Sequence, residues 1–433
     1  MSDTRSVSAR PCSGCGVCAG ICPESRITMT FDTARGTYRP ERRTEDCESH
    51  CGACDAVCPF SHGLSAPALN EQLYGQSEPS SFDSVLGHHL GCYAGYSGRF
   101  RLSSASGGLA TWVCAQLLSR EMVDGVVCVT PDEKAPTRFR FTIARDIEQL
   151  RAASGSCYVP VHAADVLKEV RKTDGRFALM GLPCLANAIR LAQRLQPSLR
   201  ERLRYVLSLA CGGPRTTHFF EYVSKVFMKA RAPDRMEFRA KWPDREARQR
   251  YRFQYRSPDG SVIERRAVLD SGIGNAFGSS LFAAECRAEC DDLFALTADA
   301  VFMDAWLPHY SSDWRGHSFV VTRHPEIDEI LRTGASHGEP IEHIPAEQVK
   351  RSQLALLQER YTRRCQGATP SNGYRPGLLD RLSVRLQDSI RAAGWRSLER
   401  TSSYDAVHSD VRPLTAAWRV CNFVRRRMPQ VRK

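Results

Sequence analysis

Eight of the eighteen cysteines lie within the first 58 residues, in two blocks that each close on Cys-Pro: Cys12, Cys15, Cys18, Cys22-Pro23 and Cys47, Cys51, Cys54, Cys58-Pro59. That pattern specifies a pair of iron–sulfur clusters. Three thiolates spaced two residues apart can face one cubane from a tight loop, and the fourth, held before a proline, reaches across to the neighbouring cubane. The reading assigns one 4Fe-4S cluster to Cys12, Cys15, Cys18 and Cys58, and the other to Cys47, Cys51, Cys54 and Cys22. The second block carries three residues (Glu48, Ser49, His50) between Cys47 and Cys51, one more than the first block has, which loosens its register.

The first block, C-x2-C-x2-C-x3-C-P, is the run of bacterial ferredoxins. Zinc sites use separated C-x2-C pairs and do not call for two runs of four. Disulfides are not expected either, because Met1 to Arg10 is polar and lacks the apolar core of a secretory signal. Reduced thiols and oxygen-sensitive groups point to the cytoplasm. No stretch of about 18 apolar residues occurs, so no membrane span is expected. The net charge is +12, yet residues 360–433 hold sixteen Arg or Lys against five Asp or Glu, a net of +11. A body close to neutral with a basic tail does not suit a nucleic-acid protein.

The expected organisation is a ferredoxin-like domain over 1–75, a linker at Gly75 to Ser84, the two parts of an α/β or α+β body over 85–172 and 173–345, and a basic helical tail over 346–433. The body reads as alternating elements around a mixed sheet. Strands are expected at Val123 to Val129, Phe139 to Ala144, Phe177 to Leu182, Tyr205 to Ala210, Ala300 to Met303 and Ser318 to Thr322. Helices are expected at Leu109 to Met122, Asp146 to Ala153, Ala163 to Lys172, Cys184 to Leu195 and His218 to Lys229. A hairpin is expected at Tyr251 to Tyr255 and Val262 to Ala267 about Pro258-Asp259-Gly260, and a shorter one at Ile27 to Phe31 and Tyr38. In the tail, Leu378, Leu382, Leu386 and Ile390 recur every four residues among arginines, which suggests an amphipathic helix.

Four further cysteines stand in distinctive contexts. Cys184 lies where a strand ends and a helix begins, Cys211 precedes Gly212-Gly213-Pro214, and Cys286 and Cys290 form a C-x3-C pair. A helix N-terminus lowers a thiol's pKa, which favours a thiolate at Cys184. From spacing alone these four are either buried thiols or a third metal site. Ser106-Gly107-Gly108 before a helix can bring backbone N–H groups to a diphosphate, or can simply cap the helix with Ser106. Gly272 to Gly278 has the wrong interval for a dinucleotide fingerprint and reads as a loop. His88, His89, His309 and His317 are surface or capping histidines or proton donors, and Cys114 and Cys128 read as core.

Taken in order, these motifs resemble the coenzyme F420 hydrogenase/dehydrogenase beta-subunit family over about residues 10 to 325. The resemblance rests on the cysteine blocks, Ser104 to Gly108, Ser154-Gly155-Ser156-Cys157-Tyr158, Gly181-Leu182-Pro183-Cys184, Cys211 to Pro214, Phe238 to Lys241, and Cys286 to Cys290 followed by Ala298-Asp299-Ala300 and Asp304-Ala305-Trp306. It implies two 4Fe-4S clusters, an FAD, and electron exchange with coenzyme F420 or another reducible small molecule. It also brings in a third cluster at Cys184, Cys211, Cys286 and Cys290. The flavin would lie against Ser106, Gly107, Gly108, Ser154, Gly155, Ser156, Tyr158, Gly181 and Pro183. The chain departs from the family pattern at Cys157 (often Lys), Leu185 (commonly Gln), the longer Cys286–Cys290 spacing and Met303 (Gly).

The expected activity is that of an iron–sulfur flavoprotein oxidoreductase fed by a ferredoxin or other redox protein, in which the flavin links one-electron to two-electron chemistry. No catalytic residue is assigned. The alternative is a non-catalytic electron-transfer subunit that docks on a larger complex. The basic tail would attract an acidic partner or an anionic membrane surface.

Overall fold

The computed structural model describes residues 11–42, 51–61, 63–77, 80–224, 235–241, 251–256, 261–266, 277 and 282–367. Cys47, the turn at Pro258, the Gly272–Gly278 loop apart from Phe277, and the apolar repeat of the tail lie outside them. The N-terminal unit holds α1 (Val17–Ile21), β1 (Ile27–Asp32), β2 (Thr37–Arg42), α2 (Ala53–Ala56) and α3 (Ala66–Tyr74). Strands β1 and β2 pair antiparallel with Phe31 opposite Tyr38, the expected short hairpin. Then come β3 (Ser81–Asp83), β4 (Gly87–His89), β5 (Gly91–Gly95), α4 (Leu109–Ser119), β6 (Gly125–Pro131), β7 (Phe139–Ala144), α5 (Ile147–Ala152) and α6 (Ala164–Lys172). The chain continues through β8 (Phe177–Gly181), α7 (Pro183–Leu195), α8 (Pro197–Arg202), β9 (Leu203–Leu209), α9 (Thr217–Tyr222), β10 (Arg235–Lys241), β11 (Tyr251–Arg256) and β12 (Val262–Arg266). It closes with β13 (Ala300–Asp304), α10 (Pro308–Ser311), β14 (Ser318–Thr322), α11 (Pro325–Ser336), β15 (Ile341–His343), α12 (Ala346–Ser352) and α13 (Leu354–Gly367).

Eight strands form one mixed sheet in the order β15-β5-β14-β13-β9-β8-β6-β7. Its centre, β13-β9-β8-β6, is parallel, and the remaining pairs are antiparallel. Side chains alternate between two cores with period two. Val127, Leu179, Val206 and Val301 face one core, whereas Val126, Ala178, Leu207 and Ala300 face the other. Burial on both faces explains why these strands read as continuous apolar runs. Strands β10, β11 and β12 form a separate antiparallel sheet. The stretch Gly75 to Ser84, expected to be a linker, contains β3, which pairs with β4. Strand β5 is not among the expected strands; two of its five residues are glycines. Its Gly95, at φ +156°, faces Pro340 O so closely that a Cβ would sit 2.1 Å away, so the sheet uses the glycine to admit β15.

The N-terminal unit is built into the first core. Val17 and Ile21 of α1 are fully buried there with Leu167 and Val170 of α6, each contributing about 1.5–3 kcal/mol of burial. Close approach depends on Gly20, where a Cβ would lie 2.8 Å from that of Leu167, and on Gly16, at φ +79°. The backbones also join directly, since Ala163 N donates to Cys15 O at 2.8 Å and Thr217 N to Gly36 O at 2.8 Å.

A buried polar knot ties α3, α7, β9 and β13 together. Asp299 accepts from Tyr74 Oη (3.1 Å) and Val206 N (2.7 Å) and pairs with Arg190 at 2.6 Å. Its carbonyl accepts from Arg323 N at 2.7 Å, and the fully buried Arg323 guanidinium donates to the carbonyls of Leu86, Phe294, Ala295 and Ala298. Asp299→Ala should therefore lower unfolding free energy by about 3–5 kcal/mol, because Arg190 would be left as an uncompensated buried charge. Urea unfolding followed by circular dichroism checks this, and a loss under about 1 kcal/mol would contradict it.

Candidate metal centre

Cys15 and Cys18 lead into and lie on α1, and Cys54 lies on α2. Cys12, Cys15, Cys18, Cys54 and Cys58 line one cavity together with Pro11. Burial, and then Cys12 and Cys58, push the Cys15 thiol up to about 12. Cys18 is raised by burial and then by Cys15, Cys12, Cys58 and Cys54. The structure therefore brings Cys12, Cys15, Cys18 and Cys58 to one place. Of the other four, Cys54 and Cys22 meet in a small apolar cluster with Cys18, and Cys51 is exposed. Backbone N–H groups already face the sulfurs: Gly14 N donates to Cys12 Sγ and Arg26 N to Cys22 Sγ, both at 3.3 Å.

The internal cysteines gather at the carboxyl edge of the parallel strands, the edge at which open α/β sheets place their ligands. Cys184 follows β8 in the first turn of α7, with Pro183 opening the helix. Cys211 follows β9, two residues past its end. Cys286 lies in a short 3-10 turn over Glu285–Arg287. Burial raises Cys184 well above an ordinary thiol, and Cys286, Cys15 and Cys211 raise it further. The helix N-terminus expected to favour a thiolate at Cys184 is thus outweighed, since a charge there loses its hydration. Cys286 is raised by burial and then by Cys290, Cys211, Cys12 and Cys15. Cys290 is pushed up to about 11 by burial, with Cys211 among its neighbours. Cys184 is thus within electrostatic reach of Cys211 and Cys286, and Cys290 of the same two, while Cys184 and Cys286 are also within reach of the N-terminal set. The Ser13 hydroxyl stands beside both Cys15 and Cys184 and eases the ionisation of each.

Among the described residues no three His, Cys, Asp or Glu side chains converge on a single ion. A tetrahedral ion with bonds near 2.3 Å draws its thiolates to about 3.8 Å from one another. A cubane, with four irons and four sulfides between them, spreads them wider. The donors present are soft thiols with N–H···S partners, including Gly213 N to Cys211 Sγ at 3.3 Å, and they suit such a group.

The serine–glycine motif Ser106-Gly107-Gly108 lies at the start of α4. Gly108, at φ +82°, precedes α4 with no side-chain cap, while Ser106 Oγ donates to His317 O at 2.7 Å instead of capping the helix. A Cβ on Gly107 would lie 2.6 Å from Gly95 O and Ser318 N, and one on Gly108 2.8 Å from Phe100 C. Both glycines are thus required by the chain's own packing. Ser154 Oγ donates to Ser103 O at 2.8 Å, which joins the two serine–glycine motifs. Gly155 adopts φ +125° facing open space, and Ser156 is half-buried. Tyr158 meets Phe238 and Phe277 edge-on at 5.4 and 5.2 Å. Gly181 and Pro183 stand next to Cys184.

Two residues that pack against this motif, Arg101 and Ser97, carry no signal in the sequence. Arg101 lies over the Tyr96 ring at 3.6 Å and donates to Gly316 O and Asp313, yet its Nη1 is buried without a partner, as is Ser97 Oγ. Lys241 donates to the carbonyls of Arg101, Ser106 (2.8 Å) and Arg315, a match for an ammonium's three donors. Burial, then Arg101 and Arg239, push it down to about 7. Arg239 pairs bidentately with Asp304 at 2.9 and 2.8 Å and lies 3.8 Å over Tyr251. Of the candidate proton donors, His317 is pushed down to about 4 by burial and Arg101 and so is neutral near neutral pH. His309 lies against Tyr310. Cys114 and Cys128 are buried in the second core, as expected.

An N-terminal 4Fe-4S dicluster domain joined to a mixed α/β body defines an iron–sulfur electron-transfer protein. Residues 11–62 match the description "4Fe-4S dicluster domain". Residues 92–168 and 174–347 match the N-terminal and C-terminal domains of "Coenzyme F420 hydrogenase/dehydrogenase, beta subunit". The chain belongs to this family. It is 24% identical over 207 residues to one of the subunits of the F(420)H(2) dehydrogenase of Methanosarcina mazei, over 46% of this chain and 53% of that protein. It is also 24% identical over 226 residues to an uncharacterized protein of Methanocaldococcus jannaschii, over 46% of this chain and 59% of that one. The chain thus spans little more than half the length of the curated relatives it matches. A solved chain of the F420-reducing nickel–iron hydrogenase complex from Methanosarcina barkeri superposes with a TM-score of 0.49 at 17% identity, covering 65% of this chain and 93% of that one. Among the described residues no helix is long and apolar enough to cross a membrane.

Cys15→Ser should remove roughly one four-iron cluster's worth of iron and leave the remainder bound, since a cubane needs its thiolates. Iron and sulfide analysis of anaerobically purified protein checks this. Undiminished iron, or zinc in its place, would overturn the assignment.

Proposed function

We propose that this chain is an oxidoreductase that exchanges electrons between a ferredoxin or similar redox protein and coenzyme F420 or another reducible small molecule, using three 4Fe-4S clusters and an FAD. The observation that carries this reading is the convergence of two buried thiol sets, one from the N-terminal domain and one from the carboxyl edge of the sheet. Cys12, Cys15, Cys18 and Cys58 hold the first cluster; Cys22, Cys47, Cys51 and Cys54 hold the second; Cys184, Cys211, Cys286 and Cys290 hold the third. A bound flavin supplies the conversion between one-electron and two-electron transfer.

The chain's own residues support the flavin assignment on chemistry. The unpartnered Arg101 Nη1 and Ser97 Oγ, near the uncapped start of α4, suit an anionic diphosphate. Tyr158, Phe238 and Phe277 form an aromatic cluster. A chain of contacts leads from Cys211 through Gly213, which donates to its sulfur and accepts from Arg215, to Phe277, on which Arg215 stacks at 4.5 Å, and on to Tyr158. Lys241, which burial brings to about 7, can hold or release a proton beside the Ser106 carbonyl.

A second reading has its own support: a relative is named as part of a multi-subunit dehydrogenase, and residues 360–433 carry a net charge of +11 suited to an acidic partner. The chain would then pass electrons within a larger assembly and reduce no substrate alone. Anaerobic purification with flavin extraction and a ferredoxin-linked F420 assay separates the readings. Arg101→Gln should lower flavin content several-fold while iron stays constant. Stoichiometric flavin in that variant would move the flavin elsewhere, and Gly108→Val cannot serve as the test because it would strain the backbone at Phe100.

A further inference from the structure

Of the internal thiols, Cys211 has Arg360, Arg215 and Arg287 as charged neighbours and Cys290 has Arg360, whereas among the described N-terminal thiols Cys12 has Arg39. Arg215, 6% exposed, donates from Nη1 to Gly213 O and from Nη2 to Phe277 O, both at 2.7 Å. Arg360, 7% exposed, donates from Nη2 to the carbonyl of Cys211 itself. Among the described residues neither forms an ion pair with a carboxylate, and Arg215 Nε and Arg360 Nη1 are buried without a hydrogen-bond partner. The third guanidinium, Arg287, packs its stem under Gly213 and is paired with Glu359. Around Cys15 and Cys18 the charged neighbours are other thiols, and the cation that reaches Cys12, Arg39, is shared with Glu285.

Two buried guanidiniums that pair directly with no carboxylate among the described residues, with Glu359 and Asp292 acting on them only at longer range, are costly, since each cation has lost much of its hydration. Negative charge at the site offsets that cost, and four ionised thiolates on a cluster would supply it. Net charge, hydrogen bonds and burial are also what set a cluster's potential, so nearby cations favour the form that has gained an electron.

We propose that Arg215 and Arg360 are the counter-charges of the cluster held by Cys184, Cys211, Cys286 and Cys290, and that they raise its reduction potential above that of the cluster held by Cys12, Cys15, Cys18 and Cys58. This rests on the internal cluster of the proposed function. A single electron delivered by a one-electron carrier to the N-terminal set then leaves that cluster oxidised and the internal one reduced, with no proton or bond change. The two arginines are positioning residues that give the transfer its direction.

The test is an EPR-monitored redox titration of anaerobically purified full-length protein, with dithionite as reductant and iron counted in each sample. In Arg215→Gln and Arg360→Gln the internal cluster's midpoint should become more negative while the N-terminal signals keep theirs, and Arg215→Lys and Arg360→Lys should restore most of the shift. If the Gln variants lose only the internal cluster's iron and the Lys variants keep it, the counter-charge role is supported. Unchanged midpoints in Gln variants with full iron, an equal shift of all signals, or iron lost equally from Gln and Lys variants would overturn the proposal. Wild-type protein with iron for only two clusters would instead overturn the internal-cluster reading beneath it.

Discussion

The placing of the N-terminal thiols against the body turns on how closely α1 lies against α6. Gly20 and Gly16 remove the side chains that would hold the helices apart, and Ala163 N then reaches Cys15 O. That approach buries Val17 and Ile21 in the same core that backs the large sheet. It also presses Cys12 and Cys15 toward Cys184 and Cys286. A dicluster domain on a flexible linker would carry the same cysteines without this adjacency. Here the fold itself sets the spacing over which electrons would travel.

The electrostatics follow from that burial. Thiols packed together in a dry interior resist ionisation, because each thiolate would be desolvated and would repel the next. Every cysteine of the internal set is raised for this reason. Such a site is unfavourable as a set of free thiolates and becomes favourable when iron draws off their charge. The carboxyl edge of β8, β9 and β13 supplies the frame, since neighbouring parallel strands deliver Cys184, Cys211 and Asp304 to one side of the sheet. From Asp304 the chemistry continues through Arg239 to Lys241 and the Ser106 loop.

Much of this was legible in the sequence because it is written in short range. The cysteine spacing, the apolar strands Val126 to Val129 and Phe177 to Leu179, and the helix after Pro183 are local patterns, and the mixed sheet follows from their alternation. What the sequence could not disclose depends on contacts between distant segments. Strand β5 looks like a glycine-rich loop until β14 and β15 pair with it. Arg101, Arg215 and Arg360 are ordinary arginines until folding buries them. Gly107 and Gly108 illustrate the limit in the other direction: their motif was recognisable, but the space they leave is filled by the chain's own backbone at Gly95, Ser318 and Phe100.

Clusters held by the N-terminal and internal thiol sets would lie close enough to sense each other. EPR of the dithionite-reduced, anaerobically purified protein tests it most directly. The expected spectrum is broadened by spin–spin interaction and resolves into the simpler signals of the N-terminal clusters when Cys184→Ser removes the internal one. A wild-type spectrum that is already the sum of isolated clusters, unchanged by Cys184→Ser, would contradict it.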